Sequence, residues 1–263
     1  MIRVRIDQLL VQRGLASTRS QAQRLIAAGV EWQDGVAWRR VAKNGDDVLE
    51  DAELRLLDDA EARYVSRGGL KLEAALKRAG VNVQGKVCLD VGQSTGGFTD
   101  CLLQAGAARV VGLDVGSAQL HAQLRADERV LCLENVNARD LDALDDALGE
   151  HLDELGMPEG AAFEVLVADV SFISLTLILP AVVTLLKPGA QVLLLVKPQF
   201  ELQPGQVGKG GVVRDAAMYD IVKVRLHQAC ADLGLQVQAW FDSPIAGGDG
   251  NHEFFIHASL PAA

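Results

Sequence analysis

The chain has 263 residues, 49% of them hydrophobic and 23% charged, which is the balance of a soluble globular protein with material for a full core. Its four cysteines, Cys88, Cys101, Cys132 and Cys230, include no CxxC pair, so neither a metal centre nor a disulfide framework is implied and a reducing, cytoplasmic setting is expected. The net charge of −10 argues against a polyanionic partner, yet residues 1–45 set eight Arg and Lys against three acids, a basic front compatible with RNA.

The opening segment, MIRVRIDQLL, is too short and too mixed for a secretory signal. Apolar spacing predicts a helix from Arg5 to Gln12, with Ile6, Leu9 and Leu10 on one face. A second helix is predicted from Ser17 to Ala28, with Ser17 or Thr18 as N-cap and Gly29 at its end. Short strands follow at Val30 to Gln33, Val36 to Val41 and Glu53 to Leu57, joined through the turn dipeptides Asp34-Gly35 and Asn44-Gly45. A linker at residues 61–66 is expected to divide this front module, residues 1–60, from a second unit, residues 67–263.

In the second unit, apolar runs predict buried parallel strands at Val87 to Val91, Val110 to Asp114, Val130 to Glu134, Val165 to Val170 and Val192 to Val196. Cys88, Cys101 and Cys132 lie among apolar neighbours and read as buried small hydrophobes. Phe172 to Leu186 is the most apolar stretch, but Ser174, Thr176, Pro180 and Thr184 interrupt it, so it reads as a buried helix and not a membrane span. The alternation implies a doubly wound α/β sheet, with Leu235 to Asp242 and Glu253 to Ser259 as an antiparallel hairpin at one edge.

The front sequence RIDQLLVQRGLASTRSQAQRLIAAGVEWQDGV resembles the S4 RNA-binding domain. That resemblance implies basic helix residues presented to structured RNA, with Arg5, Arg13, Arg19, Arg24 and Arg39 as candidates and Arg67 beside them; a merely solvated basic face is the alternative. At the end of the first strand of the second unit, Asp90-Val91-Gly92-Gln93-Ser94-Thr95-Gly96-Gly97-Phe98 has DxGxxxGG spacing, unlike the GxGxxG of dinucleotide enzymes. It resembles the cofactor loop of class I methyltransferases, which implies S-adenosylmethionine. Asp90, Gly92, Ser94, Gly96, Gly97 and Phe98 are the loop candidates, with Asp114 for the ribose, Asn137 near the adenine and Asp169 beside the methyl group. Each Asp alone also suits a helix cap or a loop.

The segment after the fourth strand, Asp169-Val170-Ser171-Phe172-Ile173, has neither the Asn/Asp-Pro-Pro-aromatic motif of amino methyltransferases nor a cysteine, which favours an oxygen acceptor. Lys71, Asp169, Lys197 and Glu253 form a Lys-Asp-Lys-Glu set in the order found in ribose 2'-O-methyltransferases related to the heat-shock rRNA methyltransferase family. An amine accepts a proton only after losing its own, which desolvation or a second nearby positive charge favours. Taken singly, Lys71 also suits RNA phosphate, Lys197 a strand end and Glu253 a surface cation.

SRGGLKLEAAL, DVGQSTGGFTDCLLQ, GLDVGSAQL, NVNAR, ADVSFISL, LVKPQFE, GKGGVVRD and SPIAGGDGNHEF occur in order, and the chain resembles the TlyA family over its whole length. The family's proteins, historically also called hemolysins, imply an enzyme that transfers a methyl group to a cytidine ribose in ribosomal RNA. Ribosomal subunits are then the partner, with no membrane and no metal. Gln93 stands where a small residue such as Ala is usual and Ser117-Ala118 replaces Tyr-Gly or His-Gly, departures expected to weaken or reshape cofactor binding. The rival readings are a membrane-active hemolysin and a non-catalytic RNA-binding protein that has kept the fold; a pseudouridine synthase lacks its Asp motif here.

Overall fold

The computed structural model describes residues 2–57, 62–152, 162–247 and 249–262. Contacts group the chain into two compact units, Met1–Leu70 and Lys71–Ala263. The expected linker, residues 61–66, begins at a residue outside the described ones.

In the first unit, strand β1 (Arg3–Arg5) leads directly into helix α1 (Ile6–Gln12), and helix α2 (Arg19–Gly29) follows. Thr18 caps α2 by accepting a hydrogen bond from the Gln21 amide. Strands β2 (Val30–Asp34), β3 (Ala37–Arg40) and β5 (Leu54–Leu56) form a sheet in the order β3-β2-β5, while β4 (Asp47–Leu49) pairs antiparallel with β1. Ile6, Leu9, Leu10, Ala22, Leu25 and Ile26, the apolar faces expected of the two helices, pack with Val30, Trp32 and Val48 in one core.

The second unit opens on helix α3 (Arg67–Ala79), whose first residues belong to the preceding stretch of chain. Strands β6 (Val87–Val91), β7 (Arg109–Asp114), β8 (Val130–Glu134), β9 (Phe163–Ala168), β10 (Leu186–Val196), β11 (Gln236–Asp242) and β12 (Phe254–Ser259) make one seven-stranded sheet. Its order is β11-β12-β10-β9-β6-β7-β8, parallel from β8 to β10, with β12 antiparallel to both of its neighbours. The connecting helices are α4 (Gly97–Gln104), α5 (Ala122–Arg125), α6 (Leu141–Leu152), α7 (Leu175–Val182), α8 (Pro198–Glu201) and α9 (Ala217–Asp232). The strand order reverses between β6 and β9, and in open α/β sheets ligands bind in the crevice at that point, beyond the strands' C-terminal ends.

Two expectations are corrected. The apolar stretch from Phe172 to Leu186 is not one helix: Ser174 caps α7, a short 3-10 turn ends it, and β10 starts at Leu186. Phe172 stands outside, 90% exposed, in a left-handed conformation. Cys132 is only half-buried because β8 is an edge strand with a neighbour on one side, whereas Cys88, Cys101 and Cys230 are buried.

Candidate active site

The turn after β6 is built by contact, not by side-chain reach. Gly92 has φ 82°, and a Cβ there would lie 2.7 Å from the Asp169 backbone carbonyl oxygen, so the loop after β6 and the loop after β9 touch backbone to backbone. Gly96, φ 96°, caps α4 in the left-handed region. Ser94 also has a positive φ, and its amide donates to Asp114 Oδ2 at 2.6 Å, while Asp114 Oδ1 accepts from the Gly116 amide at 2.7 Å. One carboxylate at the end of β7 thereby ties down two loops, and each of its oxygens keeps a second lone pair for a ligand.

Beneath the loop lies a buried polar chain. Gln93 Nε2 donates to Thr99 Oγ1 (2.9 Å), which donates to Asp90 Oδ2 (2.7 Å). Gln93 therefore points into the protein, over Gly112 of β7, where an added Cβ would sit 2.0 Å from its Cδ. The residue suspected of crowding the cofactor is accommodated by a glycine on the neighbouring strand. Asp90 Oδ1 and Gln93 Oε1 are buried without a hydrogen-bond partner among the described residues. Burial is the main cause that pushes the Asp90 carboxyl up to about 7, against the Thr99 hydrogen bond that lowers it.

A cavity of about 340 Å³ opens where these loops meet. Gly92, Ser94, Asp114, Asn137 and Asp169 line it, together with Val115, Gln119, Val136 and Ser171. Four other loop candidates do not reach it. Asp90 is fully buried on Thr99; Gly96 and Gly97 turn the chain into α4; Phe98 stacks on Phe255, 6.3 Å between centroids, inside the core. They shape the cradle without lining it. The lining offers two carboxylates, two amides, small backbone and an apolar wall, a donor and acceptor set that fits a nucleoside joined to an amino acid.

The four ionisable candidates form two ion pairs. Lys71 on α3 bonds Glu253, just before β12, with Nζ–Oε2 at 2.5 Å, and both side chains are buried. Lys197, fixed between the aliphatic end of β10 and Pro198, lies 2.6 Å from Asp169 Oδ1. That approach is too oblique for a hydrogen bond and leaves Oδ1 without one among the described residues; the directional bond of the amine goes to Ser171 Oγ at 2.8 Å. Burial raises the pKa of Glu253, Lys71 pulls it back, and the charges of Lys197 and Asp169 are also felt there, so the two pairs are neighbours.

The basic candidates of the front are largely committed within their own unit. Arg5 and Arg19 both bond the buried Asp7, at 2.9–3.0 Å, and the Arg5 hydrogen bond leads in holding that carboxyl below its usual range. Arg13 donates to the carbonyls of Ala52 and Glu50, and Arg39 pairs with Asp34 at 2.8 Å. Arg24 is half-buried on α2, and Arg67 opens α3. Arg5, Arg19 and Arg39 remain half-exposed or more, so a second partner still has access to them.

The reasoning from sequence overlooked Ser171 and Phe172. The signal for Ser171 was its place two residues beyond Asp169, where the chain leaves the sheet edge. Phe172 carried its own signal, a large apolar side chain in a polar loop; it lines the cavity, and its ring lies 5.0 Å from that of Phe200.

The sheet order, the glycine cradle and the crevice define a methyltransferase. The chain belongs to the FtsJ-like methyltransferase family, whose model matches residues 64–260, and it carries an S4 domain at residues 4–29. Within that class it is a TlyA-type protein. It is 42% identical to the 16S/23S rRNA (cytidine-2'-O)-methyltransferase TlyA of Mycobacterium tuberculosis, over 97% of this chain and 89% of the relative. It is 37% identical to hemolysin A of Brachyspira hyodysenteriae, over 97% and 99% of the two chains. A solved chain from Streptococcus thermophilus superposes with a TM-score of 0.70 at 40% identity, covering 99% of this chain and 90% of that one.

Proposed function

We propose that the chain transfers a methyl group from S-adenosylmethionine to a cytidine 2'-hydroxyl of ribosomal RNA, in the cytoplasm, with ribosomal subunits as substrate. The observation that carries the reading is two Lys–carboxylate pairs from four separate places in the chain, one with Asp169 on the wall of a nucleoside-sized cavity and the other close enough to feel its charges. Gly92, Ser94, Asp114 and Asn137 are the residues to hold the cofactor, which supplies an electrophilic methyl group on a sulfonium.

A ribose hydroxyl is a poor nucleophile until its proton begins to leave. Lys197, rigid between β10 and Pro198, is the group to take that proton, and Asp169 offsets the charge that the amine acquires. Lys71, locked by Glu253, presents a fixed positive edge to the acceptor and keeps it aligned. Phe172 holds an exposed ring in a conformation that costs a bulky side chain roughly 1–3 kcal/mol. Such a flat apolar surface beside the reacting groups suits an unstacked base. Arg5, Arg13, Arg19, Arg24, Arg39 and Arg67 are the proposed RNA contacts, Arg5 and Arg19 as a pair splayed by Asp7.

For the membrane-active alternative, no helix among the described residues is long and apolar enough to cross a membrane. The deciding experiment incubates purified ribosomal subunits with cofactor labelled in its methyl group and maps the modified nucleotide. Label on a cytidine ribose is expected. Label on a base, or none on either subunit, refutes the proposal.

A further inference from the structure

We propose that Ser171 is a positioning residue for ribose methylation, its hydroxyl setting the direction in which the Lys197 amine faces the acceptor. The inference rests on the reading of Lys197 as the proton acceptor. Three observations carry it. The Asp169 carboxylate lies close to Lys197 Nζ but off the hydrogen-bond direction, so it supplies charge and not aim. Ser171 Oγ, 2.8 Å away, is the partner with good geometry. Ser171 also lines the cavity that Asp169 lines, and it is held there by the left-handed turn at Phe172 immediately after it.

β10 and Pro198 fix the backbone of Lys197 but not its four-carbon stem, and a carboxylate met off the hydrogen-bond direction does not hold the amine in one rotamer. The serine does so by offering a second, better aligned contact. Its oxygen accepts from the ammonium; when the amine is neutral, its hydroxyl hydrogen can donate to the amine lone pair or, rotated away, leave that lone pair to the incoming hydroxyl. The residue thus acts through Lys197 without needing to touch the methyl group.

The test compares wild type, Ser171→Ala and Ser171→Thr in three measurements. The first is single-turnover methylation of ribosomal subunits. The second is cofactor binding by titration calorimetry. The third is the rate at which a lysine-directed acylating reagent labels Lys197 without cofactor or RNA, read by peptide mass spectrometry. Loss of a hydrogen bond to a charged group predicts that Ser171→Ala methylates about 10-fold to 100-fold more slowly, with cofactor affinity and melting temperature unchanged. The same variant should label Lys197 at a rate at least about threefold different from wild type, and Ser171→Thr, which keeps the hydroxyl, should restore both rates.

A methylation rate within about threefold of wild type, or a loss that follows weaker cofactor binding, overturns the role of Ser171. If wild type leaves ribose unmodified, the proposed function fails instead. In that case the acylation rate still decides whether Ser171 directs the amine, and an unchanged rate overturns it.

Discussion

Replacing Gly112 by Ala tests the most unusual feature of the glycine-rich loop after β6, the inward-pointing Gln93. The new methyl would overlap the Gln93 amide, with Cβ 2.0 Å from both Cδ and Nε2 and 2.4 Å from Oε1. Gln93 is only 4% exposed, so it has no solvent route of escape, and any movement breaks its bond to Thr99. Overpacking costs about 1–3 kcal/mol, and an unmade buried hydrogen bond adds about 1 kcal/mol, which together give roughly 3 kcal/mol of lost stability. Gly112 does not have a positive φ, so alanine itself is tolerated there, and a strand interior even favours it over glycine by about 0.5–1 kcal/mol. In a Gln93→Ala background the same substitution should therefore cost nothing or stabilise slightly. Urea unfolding, with Trp240 as the reporter in a Trp32→Phe, Trp38→Phe background, isolates the unit concerned, since the other two tryptophans lie in the first unit. A coupling energy of about 3–4 kcal/mol is expected; effects that add to within about 0.5 kcal/mol would show that the side chain does not lie over Gly112.

Lys197→Ala should abolish methylation in the labelled-subunit assay while calorimetry still finds cofactor binding close to wild type; full activity would remove Lys197 from its role. Glu253→Gln strands a buried Lys71 and is expected to lower stability by about 3–5 kcal/mol in denaturant unfolding, a loss that Lys71→Met in the same chain should reverse in part. Asp90 has a folded-state pKa above its ordinary 3.8, so its contribution to stability is full below about pH 4 and declines as pH rises to about 7. Three pKa units correspond to at most about 4 kcal/mol, and Asp90→Asn should remove that decline from a stability–pH profile; an unaltered profile would contradict the assignment. Replacing Arg19 and Arg24 by Gln should weaken subunit binding and shallow its salt dependence, with cofactor affinity untouched, whereas an unchanged salt slope would exclude both from phosphate contact.

Legibility followed element length and locality. The five parallel strands were readable because both faces are covered and their aliphatic runs are unbroken, and the caps and turns at Thr18 and Gly35 were readable because a single side chain or φ decides them. Strands β1 and β4 escaped because three residues, Arg-Val-Arg and Asp-Val-Leu, carry too little periodicity, and their pairing bridges more than forty positions. The first half of β10 escaped because Lys187-Pro188-Gly189 reads as a turn; there the ladder is interrupted between Leu186 and Gln191. At the site, residue types announced the Lys-Asp-Lys-Glu set, but the pairing of Lys71 with Glu253 joins positions 182 apart and belongs to the tertiary structure alone. The loop motif located the turn after β6, yet it could not distinguish residues that face the cavity, such as Gly92 and Ser94, from those that lie buried beneath it, such as Asp90 and Phe98.

The sheet order ties the last strand of the unit to its first helix. The cavity is lined from residues 91–178, all from the earlier part of the unit. The counter-ion of Lys71 arrives only with β12, which must wedge between β10 and β11 after both exist. Because a domain folds as a unit, a chain cut short before β12 would lack at once the antiparallel partner of β10 and the counter-ion of Lys71.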